Sequence, residues 1–256
     1  MATFATAARS ATGLVRPGNE DSAFTSSRVI AVADGMGGHA AGEVASKIAI
    51  EVLQRNTEVI THEDIDDESA DDIFTETLSD IDRELVAHYT EKPELQGMGT
   101  TFTSLFLHGK KIALLHIGDS RAYRLRGNSI EQLSVDHTVI QQLLAAGTIT
   151  EAEIATHPQR SVLTQVLMGE GQSDTALVML DYKSGDRFLL CSDGLTTALT
   201  DKEIKSLIKG KERTAAVDAL IEATYVNGAP DNVTVVIADI EDETSKAKPQ
   251  KFGAAQ

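Results

Sequence analysis

One cysteine, Cys191, among 256 residues leaves no partner for an intramolecular disulfide. That excludes the disulfide-stapled secreted scaffolds and fits a reducing cytoplasm. Basic charge is also scarce: Lys plus Arg number 23 against 39 Asp plus Glu, for a formal charge of −16. Nucleic acids and anionic membranes bind basic surfaces, so neither is an expected partner. The opening MATFATAARS lacks the charged-then-apolar layout of a signal peptide. No apolar run approaches the roughly 20 residues that span a bilayer. The chain as given is therefore expected to be soluble and cytoplasmic. Repeats of fixed period are missing too, as is any composition break between residues 3 and 240.

What is present suits a single domain over 1–240, since 41% hydrophobic and 24% charged residues are enough for a sizeable core. The polar EDETSKAKPQKFGAAQ at 241–256 reads as a disordered tail or the start of a linker. Short β-rich runs dominate: RVIAVAD (28–34), TTFTSLFLHG (100–109), KIALLHIGD (111–119), RAYRLRG (121–127), RFLLCSD (187–193) and NVTVVIADI (232–240). Tight glycine turns at Gly109 and Gly127 predict antiparallel hairpins. Helical spacing of Ala45, Ile48, Ala49, Val52 and Leu53 predicts a helix over 41–57, with others over 71–90, 138–146, 201–209 and 213–226. Hairpin strands with clustered helices point to an α+β layered fold rather than a βαβ series. The acid run THEDIDDESADD (61–72) reads as a solvated loop and helix start. An EF-hand there would need a glycine at position 69 and a glutamate at 75, where Ser69 and Thr75 stand.

Lone aspartates mark the strand ends: Asp34 in VADG, Asp119 in HIGDSR, Asp193 in LLCSDG and Asp231 in GAPDNV, with Glu20 and Asp21 in RPGNEDS. One such Asp-Gly is an ordinary turn. Four in a β-rich domain can converge on one sheet edge, where each pair at 4 Å costs on the order of 4 kcal/mol. Cations must then be present, and all-oxygen ligation selects Mg²⁺ or Mn²⁺ over structural zinc. Two such ions can generate hydroxide from water and clamp a phosphoryl group. GMGGHA at 35–40 loosely matches a dinucleotide loop. Asp34 would face the pyrophosphate, though, and the acid run stands where the ribose-binding strand belongs. A P-loop motif is lacking, and Cys191 has Thr197, not arginine, six residues on, so a thiol-phosphatase site is not formed.

From Gly13 to Asp239 the chain resembles the metal-dependent protein phosphatases (PPM, the type 2C serine/threonine phosphatases), in their bacterial form. The resemblance rests on eight ordered blocks: GLVRPGNED, VADGMGGHAAGEVAS, GMGTT, HIGDSRAYRL, DHT, HPQRS, LLCSDGL and PDNVTVV. It implies two central antiparallel sheets flanked by helices, in α/β/β/α layers, with the site at one end. It implies that Asp34 bridges two metals, that the Gly35 carbonyl ligates one of them, and that Asp193 and Asp231 complete the centre. Glu20 and Asp21 would assist through water, while Asp119 with Asp193 would hold a third, weaker ion. Arg16 would grip the substrate phosphate, and Asn232 would orient water or phosphate beside Asp231.

Eukaryotic members carry a histidine after the first Asp-Gly. Met36 stands there here, so His39 or a metal-bound water is left as proton donor. Residues 136–172 would form a flap beside the site. The implied activity is hydrolysis of phosphoserine and phosphothreonine by a monomer acting on phosphorylated proteins, Ser/Thr kinases included. A phosphoprotein-binding or partner-switching regulator on the same fold is the alternative, and a phosphatase for small esters a weaker one. Some bacterial relatives continue past this point to a membrane anchor.

Overall fold

The structure is a computed structural model that describes residues 2–38, 41–60, 67–171, 175, 177–241 and 248–256. Its strands are β1 (Thr3–Ala11), β2 (Asp21–Thr25), β3 (Val29–Met36), β4 (Gly99–Thr100), β5 (Phe102–His108), β6 (Lys111–Ile117), β7 (Arg121–Arg126), β8 (Ser129–Gln132), β9 (Val178–Asp181), β10 (Arg187–Cys191), β11 (Val233–Glu241) and β12 (Gln250–Gly253). Its helices are α1 (Ala41–Ile60), α2 (Asp67–Glu91), α3 (Val139–Ala145), α4 (Asp193–Ala198), α5 (Asp201–Ile208) and α6 (Arg213–Val226). One sheet runs β1-β11-β10-β7-β8 and the other β12-β2-β3-β5-β6-β9, with β4 pairing to the end of β3. Every strand pair is antiparallel.

Side-chain alternation builds the layers. Ile30 and Val32 of β3 pack with Phe188 and Leu190 of β10 and Val236 and Ala238 of β11, between the sheets. Val29, Ala31 and Ala33 take the other face and pack with Ala45, Ala49 and Leu53 of α1 and with Leu78 and Ile81 of α2. On the far side, Leu189, Val235 and Ile237 meet Ile204, Val217 and Leu220 of α5 and α6. Both faces of each sheet are therefore covered, which explains why these antiparallel strands read as continuous apolar runs rather than alternating ones. The result is the expected α+β sandwich of two sheets between helical layers.

Two differences from the sequence reading stand out. The polar end is not a disordered tail over 248–256. There β12 pairs with β2, the Ala254 N–H donates to the Asp21 carbonyl at 2.8 Å, and Ala255 is buried. Backbone hydrogen bonds to a free sheet edge carry this strand, and they leave little mark on side-chain hydrophobicity. Second, β1, β2, β8 and β9 escaped the pattern, being short or built of small and polar residues such as DSAFT and SIEQ. The helix of the acid run begins at Asp67, and residues 61–66 lie outside the described residues.

Candidate metal centre

Antiparallel order brings the strand-end acids together. β3 runs into Asp34; β6, two strands along and pointing the same way, ends just before Asp119. β10 ends just before Asp193, and β11, antiparallel to it, begins just after Asp231. Asp21 lies directly opposite Asp34 in the β2–β3 register. Where β1 ends, Ala11 faces Val233, so the chain leaving β1 carries Arg16 and Glu20 to the same end. A cavity of about 270 Å³ results, lined by Arg16, Glu20, Asp34, Gly35, Asp119, Asp193, Asp231 and Asn232 together with Met36, Gly37, Thr101, Ser161 and Leu163. A larger cleft of about 500 Å³ sits at the opposite strand ends, but its acids Asp186, Asp239 and Glu241 are neutralised by Arg126, Arg187 and Arg213.

The loops are held by named contacts. The Asp34 N–H donates to Thr101 Oγ1 at 2.9 Å, and its carbonyl accepts from the Thr101 N–H at 2.9 Å and the Thr100 hydroxyl at 3.0 Å. Thr101 Oγ1 in turn lies 2.8 Å from Ser120 Oγ, next to Asp119. The Ser192 hydroxyl, next to Asp193, donates to Asp21 Oδ2 at 2.7 Å. Asn232 uses its whole amide within the protein: Oδ1 accepts from the Glu20 N–H, and Nδ2 donates to the Thr12 and Gly18 carbonyls, each at 2.8 Å. It therefore ties the Arg16 loop to Asp231, and its donors are not left for water or phosphate. Gly13 locks the other end of that loop, since at φ +80° a Cβ would stand 2.2 Å from the Asp231 carbonyl oxygen.

Crowded carboxyls raise one another. Burial, followed by the charges of Asp21, Asp193, Asp119 and Asp231, pushes Asp34 well above the usual carboxylate range. Burial pushes Asp21 up to about 7, with Asp193 and Asp231 adding to it against the hydrogen bonds of Ser192 and Thr234. Asp119 goes to about 7 by burial and the charges of Asp193 and Asp136. Asp193 goes to about 6 by burial and Asp231, offset by its hydrogen bond with Asp34. Burial also raises Glu20, against the opposing charge of Arg16.

Among the described residues, no three His, Cys, Asp or Glu side chains form a ready-made ligand group about one point. Asp34 and Asp193 instead share a hydrogen bond, and Arg16 Nη2 donates to Asp231 Oδ2 at 2.6 Å. The donor set still fits a hard divalent cation: it is all oxygen, it is crowded with like charge, and Asp21 Oδ1 is buried without a hydrogen-bond partner.

Of the sequence candidates, Arg16, Glu20, Asp34, Gly35, Asp119, Asp193, Asp231 and Asn232 share this cavity, and Asp21 lies beneath it. His39 lies outside the described residues. Cys191 is fully buried, and burial holds its thiol at about 12, in keeping with a core residue. Thr101, Ser161 and Ser192 were not singled out from the sequence, although they sit in the GMGTT, HPQRS and LLCSDGL blocks. Only folding reveals that Thr101 and Ser192 hold the acids and that Ser161 walls the cavity.

The family model described as Protein phosphatase 2C matches residues 19–228. Serine/threonine protein phosphatase PstP of Mycobacterium tuberculosis is 42% identical over 252 residues, covering 97% of this chain and 47% of PstP. This chain thus spans about half the length of that relative. Serine/threonine phosphatase stp of Listeria monocytogenes is 32% identical over 247 residues, covering 92% of this chain and 95% of its own. Among solved structures, the M. tuberculosis phosphatase PstP/Ppp superposes with a TM-score of 0.86 at 41% identity, covering 93% of this chain and 99% of that one. The PstP catalytic domain in complex with 2 manganese ions gives 0.85 at 38% identity, covering 94% and 100%.

Proposed function

The chain belongs to the protein phosphatase 2C family, and on that premise we propose that it is a metal-dependent protein serine/threonine phosphatase. The observation that carries this reading is the convergence of Asp34, Asp119, Asp193 and Asp231 with Arg16 on one cavity. In this reading Asp34, Asp193, Asp231 and the Gly35 carbonyl would hold two ions, with Asp34 shared between them. Glu20 and Asp21 would assist through water, and Asp119 with Asp193 would hold a third, weaker ion. Mn²⁺ or Mg²⁺ suits the oxygen donors, and the manganese in the related catalytic domain supports the choice. Such ions, when bound, supply Lewis acidity, a water activated near neutral pH and neutralisation of phosphoryl charge.

The chain's own residues bind and orient the substrate. Arg16 presents a planar fork matched to two phosphate oxygens, on a loop fixed by Gly13, Asn232 and the Glu20 backbone. Ser161 and Leu163 wall the cavity from the flap side and narrow the space left for bulk water. In the net reaction a water oxygen joins phosphorus as the bond to the serine or threonine oxygen breaks, and the leaving oxygen takes a proton. His39 or a water at the metal centre is carried as donor of that proton. The proposal extends to phosphorylated proteins, Ser/Thr kinases included, as substrates, and to a monomeric domain working in the cytoplasm. No described helix is long and apolar enough to cross a membrane.

The test is to strip the protein with chelator and follow release of phosphate from a phosphothreonine peptide as Mn²⁺, Mg²⁺ or Ca²⁺ is restored. Turnover should return with Mn²⁺ or Mg²⁺ and fall at least about 100-fold in Asp34→Asn. A folded protein that binds Mn²⁺ and the phosphopeptide without turnover would instead be the binding module.

A further inference from the structure

Asp82 is an acid that the proposed centre does not use. It stands on α2, is 7% exposed, and accepts the Gly169 N–H at Oδ1 (2.9 Å) and the Gly171 N–H at Oδ2 (3.2 Å). Burial raises it above the usual carboxylate range, while these two N–H groups work the other way. Arg83, the next residue, donates to Asp80. A buried acid paired with backbone N–H groups is a costly choice for a helix face. Its place is explained by what it holds.

It holds the exit of the flap. Ser161 and Leu163, which wall the cavity, are tied to the flap's own beginning. Leu163 bridges to Thr138, the Val139 N–H donates to the Val162 carbonyl at 2.9 Å, and the Thr164 N–H donates to the His137 carbonyl at 2.8 Å. The position of the wall is therefore set where the flap joins the sandwich. At the entry, the His137 N–H donates to the Gly118 carbonyl at 2.8 Å. At the exit, Leu167 exchanges both backbone hydrogen bonds with Thr100, at 2.9 and 3.0 Å, and Asp82 takes the turn that follows.

That turn is built for close approach. Gly169 has φ +81°, and a Cβ there would stand 2.7 Å from Val86 Cγ2 and 2.9 Å from the Tyr89 hydroxyl oxygen. Gly171 has φ +64°. A hollow of about 290 Å³ at the join is lined by Ser79, Asp82, Arg83, Val86, Gly169 and Gly171. The two hydrogen bonds and the Gly169 contact thus carry the join.

We infer that Asp82 is a positioning residue: by clamping Gly169 and Gly171 to α2 it fixes the flap exit, and with it the Ser161–Leu163 wall that a phosphoprotein segment meets. The inference rests on the phosphatase reading and adds to it a residue outside the cavity. Asp34 keeps its own backbone bonds to the Thr101 N–H and Thr101 Oγ1 without Asp82. Loss of the clamp therefore acts on the fit of the substrate rather than on the acids of the centre.

The experiment uses the Mn²⁺-loaded protein and a phosphothreonine peptide. Asp82→Asn keeps the size of the side chain but sets an amide N–H against one of the two backbone N–H groups. Asp186→Asn, which breaks the Arg126 ion pair at the opposite strand ends, controls for general loss of stability. Asp82→Asn should raise KM for the peptide about tenfold, the scale of one hydrogen bond to a charged group, with kcat within about twofold of native. Hydrogen exchange read by mass spectrometry should quicken over 157–171 and stay native in β1 and β11. Asp186→Asn should show neither change.

A native KM with native protection of the flap in Asp82→Asn, or the same KM rise in Asp186→Asn, would overturn the inference and leave the phosphatase reading in place. Should Asp82→Asn fail to fold, Gly169→Ala attacks the same join from the flap side, and the same two readouts decide. Absence of turnover in the native protein would sink the phosphatase reading instead. The clamp would then be judged on exchange alone, where quickening confined to 157–171 supports it and native protection overturns it.

Discussion

A Cβ built on Gly35 would lie 2.0 Å from the Gly42 carbonyl oxygen and 2.6 Å from that of Glu20. Both obstacles are backbone, so neither can swing aside. Gly38, three residues on, has nothing within 4 Å of the same added atom. Gly35→Ala should therefore cost about 1–3 kcal/mol of stability and depress metal-dependent turnover, while Gly38→Ala leaves both near native. Thermal melts and Mn²⁺ titrations of the two variants check this, and equal behaviour would show that the close packing is relaxed in solution. Asn232 is a second case of position serving a neighbour. Asn232→Ala strands the Glu20 N–H and two carbonyls in a buried place and should cost about 1–3 kcal/mol. Restored stability without restored KM in a suppressor would separate its support of the Arg16 loop from simple folding.

Among elements, the turn before β10 is tied to β7 by charge. Arg126 donates to Asp186 through Nε at 2.7 Å and Nη2 at 2.6 Å, and the Lys183 N–H adds a bond at 2.8 Å. Burial works against the Asp186 carboxylate, but these bonds and the charges of Arg126 and Arg124 hold it below the usual range. A lowered carboxylate gives stability that is present above its unfolded value near 3.9 and is lost as pH falls through the folded one. Asp186→Asn should thus lower stability by about 1–2 kcal/mol at pH 7, with the gap from native closing as pH falls below the unfolded value near 3.9 and through the lower folded one. Denaturant melts across that range decide it, and a constant gap would point to packing rather than charge. β12 makes a separate prediction. Its edge pairing, the Ala254 bond to Asp21 and the burial of Ala255 mean that ending the chain at residue 247 should lower the melting temperature. A loss of about 1–2 kcal/mol corresponds to roughly 2–8 °C for a domain of this size. An unchanged melt would mean that β12 frays in solution.

For the molecule as a whole, the acids at one end of the sandwich store a proton linkage. In chelated protein Asp21 and Asp119 sit at about 7 and Asp193 at about 6, above the unfolded value near 3.9. Raised carboxyls favour the folded state at low pH and withdraw that support as pH rises through 6–7. Cations compete with those protons, so the rise in melting temperature on adding Mn²⁺ should be larger at pH 8 than at pH 5. An equal rise at both would dissociate metal binding from these carboxyls.

The sequence alone was enough to identify the layered class, every described α-helix but the short α4, the hairpins at Gly109 and Gly127, and the acids at strand ends, because burial on both faces and turn chemistry are written locally. Ordered motif blocks likewise made the phosphatase resemblance legible before any contact was known. Tertiary structure decided the rest: that Asp21 faces Asp34, that Asn232 clamps the Arg16 loop, that Thr101 and Ser192 hold the acids, and that a polar terminal segment completes a sheet. Each depends on hydrogen bonds between residues distant in the chain, most of them to backbone atoms, and such bonds leave no periodic trace in residue type.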